Sequence, residues 1–360
     1  MVYATAKSYA QALDAFQQRL KLNPRGVRVY QNLGDLYYTF GKYAEADKAY
    51  ATYLASAKPS QEDIESYAFT LFYEKKYAES SKLIEDLLGK TERPAVFYRL
   101  KGYMAHEMNQ NVEGRGFMEK FFEVQKQENI LPSDFGCYGE ILAELNLDSL
   151  AIIQLDKAVQ ADSTSMEYMD DLAKVLSKSK HHEKAIAVFE KMIAKGADPA
   201  TSYFNIGKEW YFMGDEISTT IQSGTLSEVD ATIFGEQRKN CYTKAAEAFA
   251  MIRKYNASYA GGYLWCGRVH SILDPEATLG EAKLNYEQAL SLLESGDAQK
   301  NKKTIVECLK YLGSYYYLAS ERADATLAAE MKKNSVDYFT KVLQYNPDDA
   351  QSKEIIEKLK

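Results

Sequence analysis

The chain has 360 residues, 46% of them hydrophobic, and 44 basic against 51 acidic side chains give a net charge of -7. That balance excludes a nucleic-acid backbone as partner, because attraction to phosphate needs a basic stripe and none is present. No apolar run reaches the roughly 18 residues of a membrane span, and the opening MVYATAKSYAQALD has neither the basic start nor the apolar stretch of a signal peptide.

Residues 7–25 form one amphipathic stretch with Ala12, Phe16 and Pro24 at defined spacing. From Gly26 a longer pattern begins. Tyr30, Leu33 and Tyr37 fall at i, i+3 and i+7 on one face of a helix, and Ala46, Tyr50 and Tyr53 do the same for a second. Gly34 in mid-helix costs about 1 kcal/mol relative to alanine, which implies a close approach of two helix axes that a side chain would block. Ala46 is the small residue expected opposite it, and Tyr50 fills the space beyond.

The pattern restarts at Ser60 and Pro94 and, after a slip of three residues, at Leu131 and Ser165. The Gly34 position is taken by Ala68, Gly102, Gly139, Ala173, Gly207, Gly267 and Gly313. The Ala46 position holds Ala12, Ser80, Gly114, Ala151, Ala185, Ala245, Ala282 and Ser335. The Tyr50 position holds Phe16, Ile84, Met118, Leu155, Phe189, Phe249, Tyr286 and Phe339. Two columns are always small and one always large, so one packing unit is expected throughout.

From residue 200 the rhythm loosens. The helix with Tyr203, Ile206, Gly207 and Trp210 is separated from the one with Tyr242, Ala245 and Phe249 by 26 residues more than the pattern allows. This polar insertion, at about 214–239, is expected to form a protruding helical hairpin, with a loose loop as the alternative. A seventh unit opens at Tyr263, an eighth with Leu309, Leu312 and Gly313 carries ten extra residues, and DDAQSKEIIEKLK closes the chain as a capping helix.

This spacing resembles the tetratricopeptide repeat (TPR), a 34-residue helix-turn-helix unit. The resemblance implies an all-α fold, a right-handed superhelix of about eight repeats with an N-terminal half-repeat and a C-terminal cap. It would run as one continuous solenoid: a regular stack over 1–199, irregular repeats over 200–347 and the capping helix over 348–360. Since 7–25 matches only a second helix, the sequence is expected to be a piece of a longer protein. Residues 261–290 resemble TPR proteins of the Bacteroidetes cell envelope, which implies a periplasmic or envelope location; the cytoplasm is the alternative.

Catalytic signatures are missing: there is no GxGxxG, P-loop or GxSxG, and no cofactor or metal is implied. His181 and His182 are expected in a solvated turn. Cys137, Cys241, Cys266 and Cys308 lack metal-ligand spacing, so they are expected as buried free thiols, with a Cys241–Cys266 disulfide as the alternative. The expected function is a non-catalytic scaffold that binds a protein or extended peptide segment; the alternative is an accessory part of a protein whose catalytic or sensor domain lies outside this chain.

By resemblance, the first helix of each repeat lines a groove. The residues carried there are Tyr38, Phe69, Arg99, Tyr103, Lys174, Lys208, Tyr211, Arg268, Lys310 and Tyr317, with Gln31, Asp35, His106, Glu140, Phe204 and Leu264 around them. The carboxylate clamp of some TPR proteins is not reproduced. Its positions in the first three repeats hold Gln31 and Asp35, then Ser66, then Val96 and Leu100, and Asp35 would repel a carboxylate.

Overall fold

The computed structural model describes residues 2–359, with side chains from residue 8 onward. The chain divides into two compact units, Met1–Ser163 and Thr164–Lys360, one repeat earlier than the change of rhythm in the sequence. Among the described residues there are eighteen α-helices and no strand.

In the first unit α1 (Val2–Leu22) precedes four helix pairs: α2 (Val27–Thr39) with α3 (Tyr43–Ser56), α4 (Gln61–Tyr73) with α5 (Tyr77–Leu88), α6 (Pro94–Glu107) with α7 (Asn111–Val124), and α8 (Pro132–Glu144) with α9 (Asp148–Ala161). In the second unit α10 (Met166–Lys178) pairs with α11 (His182–Ala194), α12 (Pro199–Gln222) with α13 (Glu228–Tyr255), α14 (Ala260–Leu273) with α15 (Glu281–Ser295), and α16 (Lys302–Arg322) with α17 (Ala325–Tyr345). Helix α18 (Ala350–Leu359) packs on the last pair. Pro94, Pro132 and Pro199 stand at helix starts, where the missing N–H has no intrahelical partner to lose.

The small and large columns meet inside each pair. A Cβ built on Gly34 would lie 2.8 Å from the Tyr50 ring, on Gly207 2.6 Å from Phe249, and on Gly313 2.7 Å from Phe339. Such separations are far inside van der Waals contact, so glycine is what lets the helices approach. Where the facing residue is serine rather than alanine, its hydroxyl is satisfied by the partner helix: Ser80 Oγ donates to the Ala68 carbonyl at 2.7 Å, and Ser335 Oγ to that of Gly313 at 2.9 Å. Burial without such a partner would cost about 1–3 kcal/mol.

The turn within a pair also repeats. Gly41, Lys75, Asn109, Asn146 and Lys180 all have positive φ, between 57° and 69°, a conformation that glycine adopts freely and asparagine tolerates. In the second unit the helices run through the inserted residues. Helices α12 and α13 have 24 and 28 residues against 13 and 14 in α2 and α3. One further close contact extends the packing outward, Gly214 against Tyr242, seven residues after Gly207 and seven before Phe249. Beyond it the hairpin is mostly polar and turns at Gly224.

All four cysteines are free thiols, so the Cys241–Cys266 disulfide does not form. Burial pushes the Cys266 thiol up to about 11 and that of Cys308 up to about 12, which keeps both protonated.

Candidate binding groove

On the first helices of the Met1–Ser163 unit, the residues expected to face a ligand mostly bind the next repeat. Gln31 Nε2 donates to Asp63 at 2.5 Å, and Tyr53 Oη donates to the same carboxylate at 2.9 Å. Burial opposes the Asp63 charge, but hydrogen bonds from Ser60, Tyr53 and Gln31 outweigh it and hold the carboxyl below its ordinary value. Arg99 pairs with Asp134 at 2.8 Å, donates to the Asn129 carbonyl, and lies over the Phe121 ring. Tyr103 Oη donates to Asp134 at 2.8 Å. Tyr38 meets Tyr43 and Tyr73 edge-on, and Phe69 stacks on Phe97. Only Arg99 and Tyr103 share a site, and its centre is a fully buried carboxylate.

His106 is held between two acceptors, Glu140 at 2.9 Å from Nε2 and Asn111 Oδ1 at 3.1 Å from Nδ1. Only the imidazolium donates from both nitrogens, and the Glu140 hydrogen bond, opposed by burial, raises its pKa. A raised folded-state pKa adds stability that is complete below the unfolded value near 6.5 and is lost as pH rises through the folded value. The stability lost in His106→Gln, measured by urea unfolding against wild type, is therefore expected to be larger at pH 6 than at pH 8.5; an equal loss at both would contradict it.

In the Thr164–Lys360 unit, Lys174 is exposed and pairs with Asp170 and Asp171 on its own helix. Arg268 forms two 2.7 Å hydrogen bonds with Glu307, one repeat further on. Lys310 pairs with Asp349 at 2.5 Å, and Tyr317 accepts from Lys358 at 2.6 Å, so both belong to the seat of α18. Leu264 is buried in the core with Leu290 and Leu309 and does not face a groove. The packing of α14 turns it toward α15 and α16.

The adjacent Trp265, which the spacing argument passes over, is the half-exposed centre of an aromatic cluster. Its ring meets Tyr211 at 5.3 Å and Phe204 at 6.2 Å, stacks on Phe249, and lies under the Arg268 guanidinium. Lys208 Nζ sits 5.8 Å from both the Phe204 and Phe212 rings. No carboxylate pairs with Lys208 among the described residues. The structure thus brings Lys208, Tyr211 and Arg268 together and leaves Lys174, Lys310 and Tyr317 outside.

His182 departs from the solvated turn expected for it, whereas His181 is exposed. The His182 ring is buried against α12, with Nδ1 2.7 Å from Glu209, itself buried and accepting from Ser177 Oγ at 2.6 Å. Among the described residues no group of three His, Cys, Asp or Glu side chains could hold a metal ion, and no helix is long and apolar enough to cross a membrane.

No protein-family profile matches the chain. Among solved structures, the C-terminal part of a TPR repeat-containing protein from Cytophaga hutchinsonii is similar with a TM-score of 0.58 and 23% identity, covering 81% of this chain and 98% of that one. The fold is that of a tetratricopeptide repeat solenoid. The Cytophaga protein is also of the Bacteroidetes type that residues 261–290 resemble. PilF of Pseudomonas aeruginosa has a TM-score of 0.41 at 15% identity over 66% of this chain and 94% of its own. YrrB, a TPR protein with an unusual peptide-binding site, has a TM-score of 0.32 at 15% identity over 65% and 92%. In TPR terms, the aromatic cluster lies on the first helices of the sixth and seventh repeats, beside the long hairpin.

Proposed function

We propose that this TPR chain is a non-catalytic scaffold that binds a protein or extended peptide segment on the first-helix face of its second unit, around Trp265, Tyr211, Phe204 and Lys208. The observation that carries this reading is the contrast among the cations. Arg99, Lys174, Arg268 and Lys310 are all engaged by carboxylates of the chain itself, and Lys208 alone of that set lies over aromatic rings with no acidic partner. Half-exposed aromatics beside an unpaired cation are the usual composition of a recognition hot spot. The segment that fits presents an acidic side chain next to an apolar one.

Selection of random peptides displayed on phage tests the proposal. Peptides enriched on the wild type should carry Asp or Glu near an aromatic or aliphatic residue, and Lys208→Glu, a change at a half-buried position outside the core, should weaken them at least tenfold. Enrichment of no peptide, or equal binding by Lys208→Glu and Trp265→Ala, contradicts it. A periplasmic or envelope location, supported by the spelling of residues 261–290, belongs to the same proposal, and fractionation of the producing cells checks it.

A further inference from the structure

The second helices of the repeats carry a fourth column, four residues beyond the large position. It holds Leu54, Leu88, Phe122, Val159, Ile193 and Leu290, and leucine in the two remaining repeats as well, except in α13, where it holds Arg253. Two more departures fall at the same seam. His270 on α14 stands where Leu71, Leu142 and Leu176 stand in other first helices, in a column that also holds Tyr37, Trp210 and Tyr316, and Asn285 on α15 where Ala49, Leu83 and Val188 stand in other second helices, in a column that also holds Gln154 and Tyr338. Only at this seam do polar residues fill these positions together with an arginine in the fourth column.

The three side chains line one open cleft of about 560 Å³, with Tyr263, Glu281 and Gln288 completing its polar wall. Arg253 is held in place by Asn285, 3.2 Å away, and by the Tyr263 ring beneath it. No carboxylate pairs with Arg253 among the described residues. His270 Nδ1 lies 2.7 Å from Glu281, so that acid is turned to the imidazole and makes no ion pair with the guanidinium. His270 and Glu281 also line a second hollow of about 470 Å³, whose other walls are the apolar Ala246, Ala250, Leu273 and Leu279 and the polar Lys239, Thr243, Glu247 and Asp274.

We infer that this seam between α13, α14 and α15 is a binding site for a small carboxylic acid with an apolar body, its carboxylate on Arg253 and its body in the hollow beyond His270. A guanidinium fork matches a carboxylate in shape, and the fork of Arg253, hydrogen-bonded only to Asn285, has donors left to offer one. An arginine placed where every other repeat packs an aliphatic or aromatic side chain gives up burial, as functional positions do. The site lies on the second-helix side and is independent of the surface around Trp265.

The titratable groups lining the hollows around His270 are Arg253, Lys239 and Glu247 from α13, Glu281 from α15, Tyr263 on its own helix and Asp274 just past that helix's end. Burial, then the Arg253 charge, working against the pull of Glu281, keep the imidazole below its ordinary value. A carboxylate arriving beside it raises that value, which provides a local readout.

The test is titration of the full chain with phenylacetate, acetate and phenylacetamide, followed by the imidazole proton signals assigned to His270 with a His270→Gln control. Phenylacetate is expected to saturate at millimolar concentration or below and to move the His270 titration upward. Acetate, lacking the body, and phenylacetamide, lacking the charge, should each bind at least tenfold more weakly. Arg253→Leu restores the residue of the other repeats, so it should fold with an equal or higher unfolding temperature and lose phenylacetate at least tenfold. No saturable shift, equal binding of phenylacetamide, or undiminished binding by Arg253→Leu overturns the inference.

Discussion

Gly207→Val is expected to destabilise the second unit by about 3 kcal/mol or more, the upper end of what overpacking does in a closed core. The Cβ has no room, since Phe249 lies 2.6 Å from where it would stand, and Phe249 is itself fully buried between α12 and α14. Neither ring nor backbone yields without opening the contacts of Ala245, Ile252 and Cys266 in the same cluster. Gly116→Ala provides a control of opposite sign. Gly116 is also inside a helix, but a Cβ there meets nothing within 4 Å, so the substitution should stabilise the protein by up to about 1 kcal/mol through helix propensity alone. Chemical denaturation of the three proteins checks both signs at once.

The second large effect is expected at Arg99. Its guanidinium answers the Asp134 carboxylate, which has no exposure to water at all and is also bound by the Leu131 N–H and Tyr103. Arg99→Met keeps the stem over Phe121 but leaves the buried charge without its counterion, a loss of about 3 kcal/mol. This is the lower end of the usual range for a broken buried pair, because about a fifth of the Arg99 side chain is exposed. Arg99→Glu would do more harm by setting two carboxylates against each other. Loss of partner binding by an Arg99 variant would therefore report unfolding of the third and fourth repeats, whereas Lys208 and Trp265 variants test the recognition surface. Loss of the cooperative unfolding signal of Arg99→Met at lower urea than wild type, by circular dichroism, is the expected result.

The helix pairs, their small and large columns and the lengthened sixth repeat were legible because each depends on local spacing that a periodic sequence displays openly. What the spacing did not show was which polar side chains answer one another. Gln31 and Asp63, Arg99 and Asp134, His106 and Glu140, Arg268 and Glu307, and Lys310 and Asp349 are separated by 32 to 39 residues. That is about one repeat, so a donor on one first helix meets an acid near the same height on the next. A search for opposite charges one period apart would have found most of these ties, but it would also have offered Glu247 to Lys208 and Glu287 to Arg253, pairs that the packing does not make. His182 escaped notice because its partner, Glu209, lies on a neighbouring helix at a position that looked like an ordinary solvated acid. Trp265 escaped because family register points to Leu264, whereas the tilt of α14 turns the tryptophan outward and the leucine in.

The same contrast separates the two kinds of polar residue in the interior. Asp63, Asp134 and Glu209 are buried acids whose hydrogen bonds come from the chain itself, and they fasten one repeat to the next. Arg253 is engaged only by an amide and an aromatic face. Residues of the first kind should respond to mutation through stability, those of the second through ligand binding.

The central claim is that each helix pair closes because a missing or single-methyl side chain on one helix admits a large one from the other, and the most direct measurement is a double-mutant cycle on Gly207 and Phe249. Gly207→Val and Phe249→Ala are each expected to destabilise by about 3 kcal/mol or more. Combined, the new valine occupies the space the ring has left, so the pair should cost at least about 1 kcal/mol less than the two separate losses added together. Strict additivity, with the double variant losing the full total, would mean that these two positions do not share one space and would contradict the account.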